Sequence, residues 1–203
     1  MSKRIITISR QFGSGGRSIA KAVAEKLGVA YYDKELVKKV AVETGFNEKY
    51  IENQGEYAPS ASKLAYAFTN KSGFTGLMNG MSADDFLWAI QRQVIIGLAD
   101  KEPCVIVGRC ADYILRERSD CFNVFIHASL PFRADRIVRL YGESEASPEK
   151  RLEDKDKRRR VYYKHYTNGN WGDAMNYHLS LDSSVIGVDR CADIIAELAK
   201  TLD

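Results

Sequence analysis

A three-layer α/β sandwich built on five parallel strands is the architecture to expect of this chain. Short, continuously apolar runs such as Ile5-Ile6-Thr7-Ile8 and Cys104-Val105-Ile106-Val107 read as strands covered on both faces. Stretches of helical spacing separate these runs, and strands joined through helices pair in parallel with right-handed crossovers. Glycines and charged residues follow the strand ends, which is the edge where open α/β sheets bind ligands.

The elements follow in order. The first strand runs into Ser9-Arg10-Gln11-Phe12-Gly13-Ser14-Gly15-Gly16-Arg17-Ser18 and then the helical pattern 19–27. Ala30-Tyr31-Tyr32 is a short strand ending at Asp33, whose side-chain oxygen can cap a helix over 34–43. From 44 to 81, glycines at 45, 55, 73, 76 and 80 and the lack of sustained periodicity suggest an irregular insertion that covers a site. Ser82-Ala83-Asp84-Asp85 resembles a capping box, and Phe86, Leu87, Ile90, Val94, Ile95 and Leu98 recur at helical spacing up to Asp100. Pro103 breaks that helix, strand 104–107 ends at Gly108-Arg109, and a helix over 110–117 is expected next. Strand 123–127 precedes a helix with Pro131 in its first turn, and Pro148 starts a charged helix reaching about Tyr166. Leu179-Ser180-Leu181 is the last strand, ending at Asp182-Ser183, and a helix over 189–202 closes the chain.

Composition narrows the class. The chain's 203 residues suit one domain, 1–203, with a full hydrophobic core, and 45% hydrophobic against 28% charged residues speaks against disorder. A net charge of +3 is too mild for a nucleic-acid coat. Cys104, Cys110, Cys121 and Cys191 form no C-x-x-C pair, and with only three histidines no zinc-ligand spacing arises, so reduced, buried thiols are expected. No run reaches the roughly 18 apolar residues of a membrane span, which makes a cytoplasmic protein the expectation.

The chemistry concentrates in the first turn. Gly13, Gly15 and Gly16 let several N–H groups face inward at a helix start, which suits phosphate. Measured against G-x-x-x-x-G-K-[ST], the window Gln11 to Ser18 keeps Gly16 and Ser18, and has Gln11 and Arg17 in place of the first glycine and the lysine. Gly13, Ser14, Gly15, Gly16, Arg17 and Ser18 are therefore the phosphate-binding candidates, with the Ser18 hydroxyl able to meet a Mg²⁺ ion. Arg109 follows a strand end and can clamp an anion, while Asp33 can cap its helix or act on a substrate. Charge-rich helices usually present a solvated face. Here, however, Arg133, Arg136 and Arg139 on one helix and the run 153–160 on the next flank the turn 141–147, an arrangement that suits a closing flap.

Together, Ile8 to Arg17, Tyr32-Asp33-Lys34-Glu35-Leu36, Val105-Ile106-Val107-Gly108-Arg109-Cys110-Ala111-Asp112 and the arginine-rich helix ending in Tyr162-Tyr163 resemble the cytidylate kinase-like branch of the P-loop nucleoside monophosphate kinases. The resemblance spans nearly the whole chain. It implies a P-loop kinase core with an acceptor-binding insertion at 34–82 and a lid region at 139–162. It also implies phosphoryl transfer from ATP, with Mg²⁺, to a nucleoside monophosphate such as CMP or dCMP. On it, Arg17 bridges the β- and γ-phosphates, Arg109 holds the acceptor phosphate, Arg158 and Arg159 are lid arginines that stabilise the transferring group, Asp182 contacts ribose, and Asp33 orients the acceptor or a metal-bound water. Gln11, Arg17 and Val107 depart from the pattern of true cytidylate kinases, so the alternative is a nucleotide-binding regulatory module of the same fold without transfer chemistry. Nucleic-acid binding through 155–160 ranks lower because acidic residues interleave there. The partners expected are a nucleotide and a small-molecule acceptor, with no membrane. The oligomeric state is not readable.

Overall fold

Five strands form one sheet in the order β2-β3-β1-β4-β5, every adjacent pair parallel. The structure is a computed structural model that describes residues 4–33, 36, 38–40, 42 and 82–202. In chain order these are β1 (Ile5–Arg10), α1 (Gly16–Leu27), β2 (Ala30–Tyr32), α2 (Ala83–Lys101), β3 (Cys104–Val107), α3 (Ala111–Ile114) and β4 (Cys121–His127). Then come α4 (Leu130–Tyr141), α5 (Pro148–Thr167), a 3₁₀ turn (Ala174–Asn176), β5 (Leu179–Asp182), α6 (Ser183–Ile186) and α7 (Val188–Thr201). Positions 36, 38–40 and 42 are helical, in line with the helix expected over 34–43, while the irregular insertion expected over 44–81 lies outside the described residues.

Successive strand residues face opposite layers, and the packing follows that alternation. Ile6, Ile8, Val105, Val107, Phe122, Val124 and Ile126 pack with Ile19 and Val23 of α1 and Cys191 and Ile195 of α7. Ile5, Cys104, Ile106 and Cys121 face the other way, onto Leu87, Ile95 and Leu98 of α2 and Ile114 of α3. All four cysteines are buried thiols outside any disulfide. One buried polar pair crosses the strands: the Thr7 hydroxyl donates to Asn123 Oδ1 at 2.6 Å, which spares both groups an unpaired burial.

Several boundaries differ from the sequence reading; β1 runs on to Arg10 and α1 starts already at Gly16. The helix expected over 110–117 is a single turn, Ala111–Ile114; positive φ at Arg109 and Cys110 sets its start at 111, and it ends at Ile114, with Leu115 as its C-cap. β4 begins at Cys121 instead of 123. α6 is an added turn, capped by Asp182 through the Ser184 N–H. Ser82 caps α2 as expected, accepting from the Asp85 N–H, and Ser147 caps α5 ahead of Pro148. No helix among the described residues is long and apolar enough to cross a membrane.

Candidate active site

The carboxyl end of β1 opens into a turn that other parts of the chain hold from outside. The Gln11 N–H donates to the Ile126 carbonyl at 2.9 Å and its side-chain oxygen accepts from the Ala128 N–H at 3.2 Å, so the residue standing where a glycine is usual stitches the turn to β4. The Ser183 hydroxyl lies 2.6 Å from the Ser14 carbonyl. Gly16 is required by space, since a Cβ there would fall 2.5 Å from Cβ of Arg10. Gly13 is required twice over: its φ is +81°, and a Cβ would meet the Arg133 carbonyl at 2.8 Å.

α1 then begins at Gly16 with Gly15 at its N-cap and no side-chain cap. The first N–H groups of a helix have no partner within it, so this start presents bare donors and the positive end of the helix dipole. Two arginines stand beside it. Arg17 meets Asp33 through two contacts, Nε to Oδ2 at 2.9 Å and Nη2 to Oδ1 at 3.3 Å. Arg136 of α4 donates to the Ser18 hydroxyl at 2.9 Å. Arg136 entered the sequence reading as one of three flap arginines and not as a site residue.

The helix pair α4/α5 packs on this turn. Phe12 stacks on Tyr141 at 5.8 Å and joins Ala134, Ile137 and Leu152 in a small apolar cluster. Beside it, Asp156 Oδ1 accepts from the Phe12 N–H at 2.8 Å, and Oδ2 pairs with Arg133 Nη1 at 2.5 Å. Arg133 also donates to the Phe12 carbonyl at 3.2 Å, and Arg159 donates to the Arg10 carbonyl at 2.9 Å. The sequence reading set the usual solvated face of a charge-rich helix against a closing flap, with Arg158 and Arg159 as lid arginines. In the structure the Asp156 side chain is buried and the Arg159 guanidinium meets the base of the turn, while Arg158 is exposed one position away. The period Leu152, Asp156, Arg159, Tyr163 was the available signal, a helical face that points inward although it carries charge.

The neighbouring turn after β3 is of a different make. Gly108, Arg109 and Cys110 have φ of 69°, 60° and 52° in succession, and Arg109 is only 8% exposed. The Gly108 N–H donates to the Ile8 carbonyl at 3.0 Å, which sets this turn beside the end of β1. Beneath both turns, Asp112 accepts from the Tyr163 hydroxyl at 2.8 Å and the Ser9 hydroxyl at 3.2 Å. Burial pushes its carboxyl up to about 6, against the opposing pull of those two hydrogen bonds. The Tyr163 hydroxyl is pushed well above its ordinary range, by burial first and the Asp112 charge second.

Asp182 lies at the end of β5, on the far side of β4 from the phosphate turn. Its carboxylate accepts from the Ser184 N–H and hydroxyl, which hold it below the usual carboxylate range, and Oδ2 is 3.8 Å from His127 Nδ1. For a divalent ion the described residues offer no cluster of three acidic, histidine or cysteine side chains. Mg²⁺ ordinarily keeps several waters and is held largely by substrate phosphates, so the Ser18 hydroxyl beside the bare helix start is a donor set of the right kind.

Comparison with known proteins gives a family and a shared fold. The model of a family described as cytidylate kinase-like matches residues 5–185. The chain is similar to the cytidylate kinase of Methanothrix thermoacetophila, 29% identical over 182 residues that cover 88% of each chain. Among solved structures it is similar to an uncharacterized protein from Eubacterium ventriosum, at a TM-score of 0.72 and 27% identity over 97% of this chain and 98% of that one. It also shares its fold with the shikimate kinase of Acinetobacter baumannii, at a TM-score of 0.53 and 16% identity over 98% and 95% of the two chains.

Proposed function

Because the chain belongs to the cytidylate kinase-like family, we propose that it transfers a phosphoryl group from ATP, with Mg²⁺, to a nucleoside monophosphate of the CMP or dCMP type. The observation that carries this reading is the uncapped start of α1 with Arg17 and Arg136 at its first turn, a cradle of N–H donors and cations suited to a polyphosphate.

In this reading the N–H groups of 16–18 take the donor phosphates and Ser18 holds Mg²⁺, which supplies charge neutralisation when bound. Arg17 exchanges Asp33 for the β- and γ-phosphates, and Asp33, released, orients the acceptor. Arg109 grips the acceptor phosphate from the adjacent strand end. Arg158 and Arg159, in the lid region 139–162, neutralise the transferring group, Arg159 from its seat on the Arg10 carbonyl. Residues 34–82 serve as the acceptor-binding insertion, and Asp182 serves ribose. Catalysis of this kind is mainly positioning and charge neutralisation.

The test is ATP consumption by the full chain across a panel of nucleoside monophosphates, beside a control kinase. Turnover with CMP or dCMP, abolished by Arg17→Ala, is the expected result, and no turnover with any acceptor would sink the reading. The second reading, a nucleotide-binding module without transfer, draws on one observation: Arg17 and Ser18 both have protein partners, Asp33 and Arg136. Nucleotide affinity without single-turnover transfer would favour it.

A further inference from the structure

Three successive residues at positive φ, two of them carrying side chains, need outside support. A left-handed residue other than glycine costs about 1 kcal/mol or more and persists where its surroundings over-determine it. At the 108–110 turn one such support is an amide from another element. Gln91 of α2 is 1% exposed and lies on the same buried stripe as Leu87, Ile95 and Leu98, where it is the polar exception. Its Nε2 donates to the Arg109 carbonyl at 3.4 Å and to the Tyr162 hydroxyl at 3.1 Å, while its Oε1 accepts from Arg109 Nη1 at 3.5 Å. One carboxamide, able to donate and accept at once, therefore touches the backbone and the guanidinium of the same arginine. The two Arg109 contacts are long, as such contacts often are before a ligand tightens them.

We propose that Gln91 is a positioning residue for the acceptor. It fixes the strained backbone of Arg109 and aims its guanidinium, with Tyr162 anchoring the amide to α5. This rests on the assignment of Arg109 to the acceptor phosphate. The residue acts through Arg109 alone, so its loss weakens the acceptor and spares the donor.

Calorimetry on the full chain tests this, with CMP as the acceptor probe and a non-hydrolysable ATP analogue as the donor probe. Gln91→Leu, close in volume but unable to hydrogen-bond, is expected to weaken CMP about tenfold, the scale of a lost hydrogen bond to a charged group, while the ATP analogue stays within about twofold. Should Gln91→Leu fail to fold, Tyr162→Phe removes one anchor of the amide and is expected to weaken CMP by a few-fold with the donor again unmoved. CMP affinity unchanged in the folded variant, or equal losses for both ligands, overturns the proposal. Arg109→Ala separates the two ideas. If it leaves CMP binding intact, or if the unaltered chain takes up no CMP, the acceptor reading itself fails; if it weakens CMP and Gln91→Leu does not, the role of Gln91 alone is wrong.

Discussion

The phosphate turn after β1 and the arginine turn after β3 end adjacent strands, yet they solve the same geometric problem in opposite ways. In the first, the positive φ angles at 13 and 15 fall on glycines, and the groups on offer are backbone N–H donors. In the second, positive φ extends past Gly108 to Arg109 and Cys110, and the group the proposed function uses is a side chain. A turn that offers its backbone can discard its side chains and stay unstrained. One that must offer a guanidinium keeps its Cβ in a costly region, and the neighbours, Gln91 and Tyr162 among them, have to hold it there.

The strongest way to break this contrast is through the brace on the phosphate turn. If glycines alone shaped that turn, Asp156→Ala would leave it intact. We expect instead that the loss of the carboxylate, which takes a charge partner from the buried Arg133 and the half-buried Arg159 and leaves the Phe12 N–H unmet, costs about 3–5 kcal/mol, read by urea denaturation. Nucleotide affinity should fall with it.

Asp112 lies under both turns and gives a pH signature. Its carboxyl is at about 6 in the fold against an ordinary 3.8, so between these values the folded chain holds the proton and the unfolded chain does not. Stability from this group is therefore fully present below about pH 4 and lost as pH rises through about 6, by about 3 kcal/mol for a shift of roughly two units. Denaturation from pH 4 to 7.5, compared between the parent and Asp112→Asn, should show a steeper decline in the parent; parallel curves would refute it.

Two smaller effects sharpen the contrast directly. Gly13→Ala puts a Cβ 2.8 Å from the Arg133 carbonyl at an unfavourable φ and is expected to cost about 2 kcal/mol. At the other turn glycine should help. Arg109→Gly is expected to exceed Arg109→Ala by about 1 kcal/mol, or about 2–4 °C in Tm, because both lose the guanidinium and only one keeps a Cβ at φ 60°. Equal Tm values for the two would mean that the turn carries no strain.

Much of this molecule was legible in its residues. The continuous apolar runs at 5–8 and 104–107 marked buried parallel strands, and the glycines between strand and helix marked a turn that leads into an uncapped helix start. What stayed hidden was the fate of polar groups. That Asp156 is buried depends on Arg133 and Phe12, 23 and 144 residues away in the chain, so local charge pattern points the wrong way. Gln91 could have been noticed as a polar residue in an apolar stripe, but its partner Arg109 is set by the fold. The start of α3 at 111 likewise follows from positive φ at Arg109 and Cys110, conformations that neither residue type favours.

Those long-range ties have a consequence for how the protein matures. The phosphate turn is held by Asp156, 144 positions from Phe12, and by Ser183, 169 positions from Ser14. Contacts so distant in sequence form only after large loops have closed, which is the slow part of folding. The first thirty residues contain the whole motif but not its shape. A nascent or truncated chain that lacks its last quarter therefore lacks the contacts that finish this turn, and under the proposed function capture of nucleotide becomes a sign that folding is complete.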